Sequence, residues 1–469
     1  MTVSGATRPA LRATDPTDDT MPVAVLGLVA AFTAAVVAQG GYYLPGRLLV
    51  ILLVAASLVA TLPGRPWSVG DLWPVPAACA ALGGWALIRA AFAGGYPAAA
   101  GEAATLGCLV AVLLVLRRTG WRARERLAGL LVGIGALVAV TVWLGVAWRL
   151  RRLAVLVDQQ LWRGGGTLTY PNAAAALLVS LALLAIALPA ATPRAPGRPA
   201  TRYLLLVGVG ATLSRAGLLA LAIGLVVLAV LAGPGQTVRR AAGPLIGAAV
   251  ATGALAPSFP VRAQPHPALA VAGLLAGAAV ALGPEYLPRR VRAAATGGVL
   301  VLAGVVLWTR LGTGAAHNIL RSRWSVTSSG RSGALHAALR LIADRPLTGT
   351  GVGQARFVWV APDGTAQIAL YAHDEYLQTL VDLGAIGLAL LLALLAAMAV
   401  TLYRARGCDH RPGVRAGAIA ALAALAAHSG FDFLWHLAVL PLAAALFLGL
   451  AASATGGGTP IDHHEGEMA

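Results

Sequence analysis

The stretch that decides the fold is YAHDEYLQTLVDLGAIGLALLLALLAAMAV, residues 371–400, in which a short polar segment runs directly into a long apolar one. About 20 consecutive apolar residues suffice for a helix to cross the hydrocarbon core of a bilayer. The stretch therefore predicts a transmembrane helix with His373 at its polar entrance. Histidine takes up and releases protons near neutral pH, so the pattern predicts a base at a membrane surface.

The rest of the chain has the composition of an integral membrane protein. Of 469 residues, 58% are hydrophobic and 11% are charged, which is too little charge for the surface of a water-soluble globule. Apolar runs of helical spanning length recur along the chain, whereas alternating strands of about ten residues do not. The expected fold class is all-α.

We expect a polytopic protein with about 12–14 transmembrane helices and a large extracytoplasmic loop before the histidine-bearing helix. The predicted spans lie near residues 22–39, 46–62, 73–93, 101–116, 127–148, 172–191, 201–213, 216–232, 241–257, 267–283, 293–310, 379–402, 414–430 and 437–453. The expected regions are a disordered cytoplasmic tail (1–20), an N-terminal bundle (21–310), an extracytoplasmic loop with short helices (311–378), C-terminal helices (379–453) and a second disordered cytoplasmic tail (454–469).

Arginine supplies every positive charge of the formal +17, because the chain contains no lysine. The arginine clusters fall on alternate connections, at residues 117–126, 194–202, 239–240, 289–292 and 404–415. Clustered arginines beside membrane helices mark cytoplasmic loops, so both termini are expected in the cytoplasm. No soluble basic domain is available for nucleic acid, and we expect no nucleic-acid partner.

Several arginines fall on the opposite side and need another explanation. Arg215 lies between two apolar runs, where a guanidinium is costly unless it reaches the surface or meets an anion. A guanidinium matches phosphate oxygens and never deprotonates. We predict Arg215 and Arg331 as diphosphate binders, with Arg323 and Arg345 beside them; the competing interpretation of each is a solvated charge or a lipid headgroup contact.

His373 also has a plain alternative role, as a polar residue at a helix start. Asp374 and Glu375 are expected to stabilise the positive end of the helix that they open. Asp432 is predicted to return to the same surface, where a carboxylate would orient His373 and raise its basicity. The glycine-rich segment 349–353 lacks the lysine of a P-loop and is interpreted as a turn after Pro346. The cysteines have no metal-binding spacing, and we expect no metal and no cofactor.

Taken together, these residues resemble the O-antigen ligase and O-antigen polymerase-like family of bacterial membrane glycosyltransferases. The segment from His373 through Gly384 and Gly387 is similar to the histidine motif of that family, and Arg215 to Leu219 to its arginine-x-x-x-leucine element. Further similar stretches are 343–353, Tyr170 to Asn172 and His428 to Asp432. Asp374 departs from the pattern, since the family usually has Asn, Ser or Gln there.

The resemblance implies a metal-independent, inverting transfer of a glycan from a polyprenyl-diphosphate carrier to an acceptor hydroxyl at the outer face of the bacterial cytoplasmic (inner) membrane. His373 would be the general base and the arginines the diphosphate binders. Asn172, Asp374, Tyr376 and Asp432 would be supporting residues. The implied partners are a lipid-linked glycan donor, a glycan or lipid-glycan acceptor, and membrane lipids.

Two alternatives stay open at this point. A protein O-oligosaccharyltransferase would use the same donor with a different acceptor. A transporter of an anionic solute or of a lipid-linked glycan would also need many helices and arginines; it predicts ionisable residues deep within the spans and broken helices near the membrane midplane.

Overall fold

Apolar helices make up most of the computed structural model, which describes residues 21–62, 72–157, 160–188, 197–286, 290, 297, 329–361, 364–407 and 412–452. The helices are α1 (Val23–Val37), α2 (Leu44–Val59), α3 (Pro74–Ala93), α4 (Tyr96–Arg117), α5 (Trp121–Ala147), α6 (Pro171–Ala187), α7 (Gly197–Thr212), α8 (Arg215–Ala232), α9 (Pro234–Leu255), α10 (Pro267–Tyr286), α11 (Ser329–Asp344), α12 (Glu375–Arg404), α13 (Pro412–Ser429) and α14 (Val439–Ala452). The chain is an all-α, polytopic membrane protein, as the sequence predicted.

Each predicted span within the described residues coincides with one of these helices, including the short seventh one, which is α7. The span predicted at 293–310 lies outside the described residues, apart from residue 297. By length and composition, six described helices are long and apolar enough to cross a membrane: α3, α4, α5, α8, the α9 segment Pro234–Ser258 and α12. Shorter apolar helices such as α1, α2, α6 and α14 pack among them.

Helix α6 lies at the centre of the bundle. Every residue from Pro171 to Ala187 is buried, as expected for a helix that is hydrophobic on all sides. It packs against α5, α7, α8 and α13. This central position fixes the start of α6, where Asn172 lies, relative to the surrounding helices.

Helix α12 is broken at Gly384, where φ is 70° and ψ is −170°. The glycine-rich turn fills the gap in the hydrogen-bond ladder. Thr350 N–H donates to the Val381 carbonyl and Gly351 N–H to the Asp382 carbonyl, both at 2.8 Å. On the other side of the break, Ala385 N–H donates to the Pro346 carbonyl at 2.9 Å. The turn predicted at 349–353 is therefore packed against a broken helix.

Two side chains of α3 complete the polar contacts at this break. Trp85 Nε1 donates to the Leu383 carbonyl at 3.0 Å. The buried Arg89 donates from Nε to the Thr348 carbonyl at 2.8 Å and from Nη2 to the Gly349 carbonyl at 3.2 Å. Backbone groups inside a membrane protein must be satisfied internally, and these donors account for an arginine within an apolar helix.

Two short antiparallel hairpins were not predicted. Strand β1 (Ala154–Val157) pairs with β2 (Leu161–Gly164), and β3 (Phe357–Val360) pairs with β4 (Ala366–Ala369). Strands of four residues are too short to show a clear alternation of apolar and polar residues. The second hairpin packs on α11 through the buried Phe357, while residues 311–328 of the predicted loop lie outside the described residues.

We predict that Gly384→Ala destabilises the protein by about 2–3 kcal/mol, because its backbone conformation is one that only glycine adopts freely. A Cβ at this position would also lie 2.2 Å from the Leu347 carbonyl carbon. The measurement is the thermal unfolding midpoint of the purified protein in detergent. Gly133→Ala on α5 is the matched control, since a Cβ there meets nothing within 4 Å. Equal unfolding midpoints for the two variants would contradict the prediction.

Candidate functional site

His373 lies directly before the first turn of α12, in a left-handed backbone conformation with φ of 57°. Such a conformation is uncommon outside glycine and costs free energy, so the surrounding structure must hold it. Asp374 is the N-cap of the helix, and its Oδ1 accepts from the backbone N–H groups of Tyr376 at 2.9 Å and Leu377 at 3.0 Å. The cap fixes the helix start next to the imidazole.

The imidazole of His373 is paired with a buried carboxylate. Asp432, in the connection between α13 and α14, is fully buried, and its Oδ1 lies 3.1 Å from His373 Nδ1. A carboxylate only accepts hydrogen bonds, so Nδ1 is assigned as the protonated nitrogen and Nε2 as the basic one. The His373 side chain is 34% exposed. Asp432 therefore holds the imidazole through Nδ1, while part of the ring remains accessible.

The other oxygen of Asp432 is held by two donors. Tyr170 Oη donates to Oδ2 at 2.6 Å, and Asn172 Nδ2 donates to the same oxygen. The Phe433 N–H donates to Oδ1 at 2.9 Å. These contacts join the chain before α6, the start of α6 and the α13–α14 connection around one charge.

A further shell fixes the orientation of the Asn172 amide. Its Oδ1 accepts from Arg163 Nη2 at 2.7 Å and from Ser214 Oγ at 3.0 Å. Arg163 Nε also donates to the Thr212 carbonyl at 2.8 Å. Because both donors meet the amide oxygen, the amide NH₂ group must point to Asp432.

The network keeps Asp432 ionised. Burial alone would raise its pKa, but the hydrogen bonds and charge of His373, together with Tyr170 and Asn172, lower the pKa below its ordinary value. Burial raises the pKa of Tyr170 well above its ordinary value, and the adjacent Asp432 raises it further. Tyr170 therefore remains a hydrogen-bond donor to the carboxylate.

Aromatic rings pack around the histidine. Phe433 lies between the stacked rings of Tyr170 and Tyr371, with centroid distances of 5.0 and 4.6 Å, and meets His373 edge-on at 5.0 Å. Tyr371 also contacts the ring of His436 at 4.1 Å. Edge-to-face and offset-stacked arrangements of this kind are favourable, so the contact with Phe433 helps to hold the imidazole in place.

A second histidine–carboxylate pair lies behind this aromatic cluster. His436 Nδ1 is 3.5 Å from Glu375 Oε1, which also accepts from the Trp435 N–H. Burial would lower the pKa of His436, but Glu375 beside it raises the pKa above its ordinary value. Sequence reasoning assigned Glu375 only to the helix end, and this pairing was missed.

Several of the predicted site residues lie in the histidine network or next to it in the chain. His373, Asp432 and Asn172 form one hydrogen-bonded network, and Asp374 caps α12 beside it. Arg215 is exposed at the first position of α8 and directly follows Ser214, which bonds to Asn172.

The remaining predicted residues make other contacts or lie outside the residues that the structure describes. Tyr376 uses its hydroxyl to bond the Ala426 carbonyl of α13 at 2.8 Å. Arg345 is exposed just beyond the end of α11. Arg331 belongs to α11 but its side chain lies outside the described residues, as does Arg323.

Sequence reasoning missed Arg163, Ser214, Tyr170 and Phe433 as neighbours of the histidine network. One signal was available for Arg163, because it lies in a connection where the arginine pattern predicts few arginines. For Ser214 the signal was its place before Arg215, at a helix start where serine commonly acts as N-cap.

Comparison with known proteins agrees with the resemblance read from the sequence. A family described as O-Antigen ligase matches residues 267–392, which run from the start of α10 into α12 and include His373 and the glycine-rich turn. Asn172, Arg215 and Asp432 lie outside the matched segment, so their connection to His373 rests on the structure. No curated protein matches the chain. The resemblance to the O-antigen ligase-like family is confirmed by this match across residues 267–392.

Proposed function

We propose that this protein transfers a glycan from a polyprenyl-diphosphate carrier to an acceptor hydroxyl, with inversion and without a metal. The observation that carries the proposal is the accessible His373 imidazole bonded through Nδ1 to the buried Asp432 at 3.1 Å. This arrangement is that of an oriented general base. The family match supports glycosyl transfer of the O-antigen ligase and polymerase type, but it does not specify the carrier or the role of each residue.

In the proposed step, Nε2 of His373 accepts the proton of the acceptor hydroxyl. The hydroxyl oxygen forms a bond to the anomeric carbon, and the bond from that carbon to the diphosphate oxygen breaks. The electron pair of the broken bond leaves with the diphosphate. Asp432 stabilises the imidazolium that forms, and the Tyr170 and Asn172 hydrogen bonds keep Asp432 negative throughout.

Arg215 is the best placed of the proposed diphosphate binders. It lies at the N-terminal end of α8, where the helix dipole favours an anion. Its chain neighbour Ser214 bonds to Asn172, which links this helix start to the histidine network. Arg345, Arg331 and Arg323 remain proposed as further binders.

The distribution of arginines supports an extracytoplasmic site in a cytoplasmic membrane. Helix α12 starts next to His373, continues beyond its break at Gly384 and ends at Arg404, in the basic segment 404–415. Helix α6 starts at the site and ends beside Arg202, which donates to the Ala185 carbonyl at 2.9 Å. If clustered arginines mark the cytoplasmic side, the site faces the other side.

A transporter stays as a second candidate, because the structure contains a feature that it predicts. Helix α12 is broken at Gly384, and Asp382 is buried beside the break. An assay in liposomes with a polyprenyl-diphosphate glycan separates the two functions. New glycosidic product supports the transferase, whereas solute or glycan movement without product supports transport. The same assay with lipid, glycan or peptide acceptors separates the ligase, the polymerase and the protein O-oligosaccharyltransferase.

We predict that His373→Ala lowers the rate of glycan transfer about 10²–10⁴-fold, the usual contribution of a positioned general base. The rate is measured in the same liposome assay. His336→Ala is the matched control, because His336 is an exposed histidine of α11 whose ring bonds to the Ser332 carbonyl one turn away at 2.8 Å. Transfer by His373→Ala at the rate of His336→Ala would remove the base from the mechanism.

We predict that Asp432→Asn lowers the transfer rate roughly 10²-fold or more, because an amide no longer fixes the tautomer of the imidazole or stabilises the imidazolium that forms. The rate is measured in the same liposome assay, and the thermal unfolding midpoint is measured beside it. Asp432→Glu keeps the negative charge and should retain more activity than Asp432→Asn. A wild-type rate in Asp432→Asn would remove Asp432 from the mechanism, and a loss of rate matched by a loss of folded protein would assign it a structural role only.

A further inference from the structure

A cavity of about 180 Å³ lies beside the histidine network, lined by residues of α2, α3, α4, α12, α13 and α14. Most of its wall is apolar, formed by side chains such as Leu82, Leu109, Leu394, Met398 and Leu425. Along α12 the lining includes residues on both sides of the break at Gly384, from Glu375 to Met398. An apolar space that follows one helix over several turns fits a hydrocarbon chain.

One end of the cavity is polar. The polar side chains at this end are Arg47, Glu102, Glu375, Gln378, Asp382 and His436. They come from α2, α4, α12 and the connection before α14. A cavity with an apolar body and a polar end matches a molecule with a hydrocarbon chain and a polar head group.

Asp382 shows that this end has unused hydrogen-bonding capacity. It is 4% exposed, and its Oδ2 accepts from Gln378 Nε2 at 3.0 Å. Its Oδ1 has no hydrogen-bond partner of good geometry among the described residues, although the Gly353 backbone N–H lies near the carboxylate. A buried polar atom without a partner is costly, so a donor supplied by an occupant would relieve this cost.

The mixture of groups at this end selects the chemistry of the head group. Carboxylates accept hydrogen bonds, whereas the guanidinium of Arg47 donates them. Arg47 Nη2 already donates to the His436 carbonyl at 2.8 Å, and His436 is paired with Glu375. A phosphate would face three carboxylates, and an ammonium group could donate but not accept. Hydroxyl groups both donate and accept, and they introduce no charge.

The polar end also adjoins the proposed reaction site. His436 contacts Tyr371 at 4.1 Å, and Phe433 contacts Tyr371 at 4.6 Å and His373 at 5.0 Å. Glu375 belongs to both the cavity wall and the first turn of α12, two residues after His373. A head group at this end would lie next to the aromatic cluster around the base.

We propose that this cavity binds the hydrocarbon chain of a lipid whose head group is uncharged and carries hydroxyl groups, and that such a lipid is the acceptor. The binding site stands on the cavity alone, whereas its role as acceptor site rests on the proposed function. The diphosphate-linked donor would then bind elsewhere, on the side of Arg215.

The test uses the full chain in lipid nanodiscs and three photoreactive probes with the same alkyl chain. The probes carry a diazirine near the chain end and a glyceryl, a phosphate or an ammonium head group. We expect the glyceryl probe to label α12 and α13 around Leu394 and Leu425, at least about tenfold more strongly than the phosphate probe. Excess unlabelled monoacylglycerol should suppress this labelling. Equal labelling by the phosphate probe would overturn the proposed head group, and so would stronger labelling by the ammonium probe.

A pair of variants on one helix provides the control. Leu394→Trp fills the cavity and should abolish labelling, because Leu394 is buried in its wall. Leu392→Trp should label as the wild type does, because Leu392 is 52% exposed and faces away from the cavity. Unchanged labelling in Leu394→Trp would overturn the site. If Leu394→Trp fails to fold, suppression by monoacylglycerol in the wild-type protein decides the question, and its failure would overturn the site.

Labelling does not require catalysis, so the two proposals fail separately. His373→Ala should be labelled like the wild type even where transfer is lost. If His373→Ala is labelled and also transfers glycan at the wild-type rate, the lipid site is supported and His373 is not the base. Loss of labelling in Leu394→Trp with undiminished transfer to a lipid acceptor would overturn the acceptor role.

Discussion

A buried carboxylate must be surrounded by hydrogen-bond donors, and Asp432 imposes this constraint on the arrangement around it. It has four donors from three segments of the chain: the His373 ring, the Tyr170 hydroxyl and Asn172 amide at the start of α6, and the Phe433 N–H. Removing one partner of a buried charge typically costs about 3–5 kcal/mol. The position of α6, the path of the α13–α14 connection and the left-handed backbone at His373 are all coupled to this one charge.

The backbone of α12 is subject to a related constraint. Within a membrane every N–H and carbonyl needs an internal partner, so a helix can break only where other groups supply partners. Residues 346–351 and Trp85 supply them at Gly384, and Arg89 holds the turn through the carbonyls of residues 348 and 349. As a result, the segment before the histidine is tied to the same helix that the histidine precedes, and the buried Asp382 lies beside the break.

The sequence predicted the helices well because a bilayer permits few alternatives for long apolar runs. It could not predict the hairpins, whose four-residue strands carry almost no periodic signal. The pairing of Tyr170 with Asp432 joins residues 262 positions apart, and only the packing of the whole bundle determines it. The motif around His373 identified the candidate base. The arginine that bonds to the histidine network through Asn172 is Arg163, which was not among the predicted diphosphate binders. The turn at 349–353 was predicted, whereas its partner, the break in α12, was not.

The charges around His373 divide the proposed substrates between two regions. Ser214, the chain neighbour of Arg215, connects to the base through Asn172 and Asp432, whereas the carboxylate-lined cavity connects to it through His436 and Phe433. If Arg215 binds the diphosphate as proposed, this group is attracted to the first region and repelled by the carboxylates of the second, so donor and acceptor should approach the base along different elements. The proposed inversion requires such a separation, because the acceptor oxygen must attack the face of the sugar opposite to the leaving group.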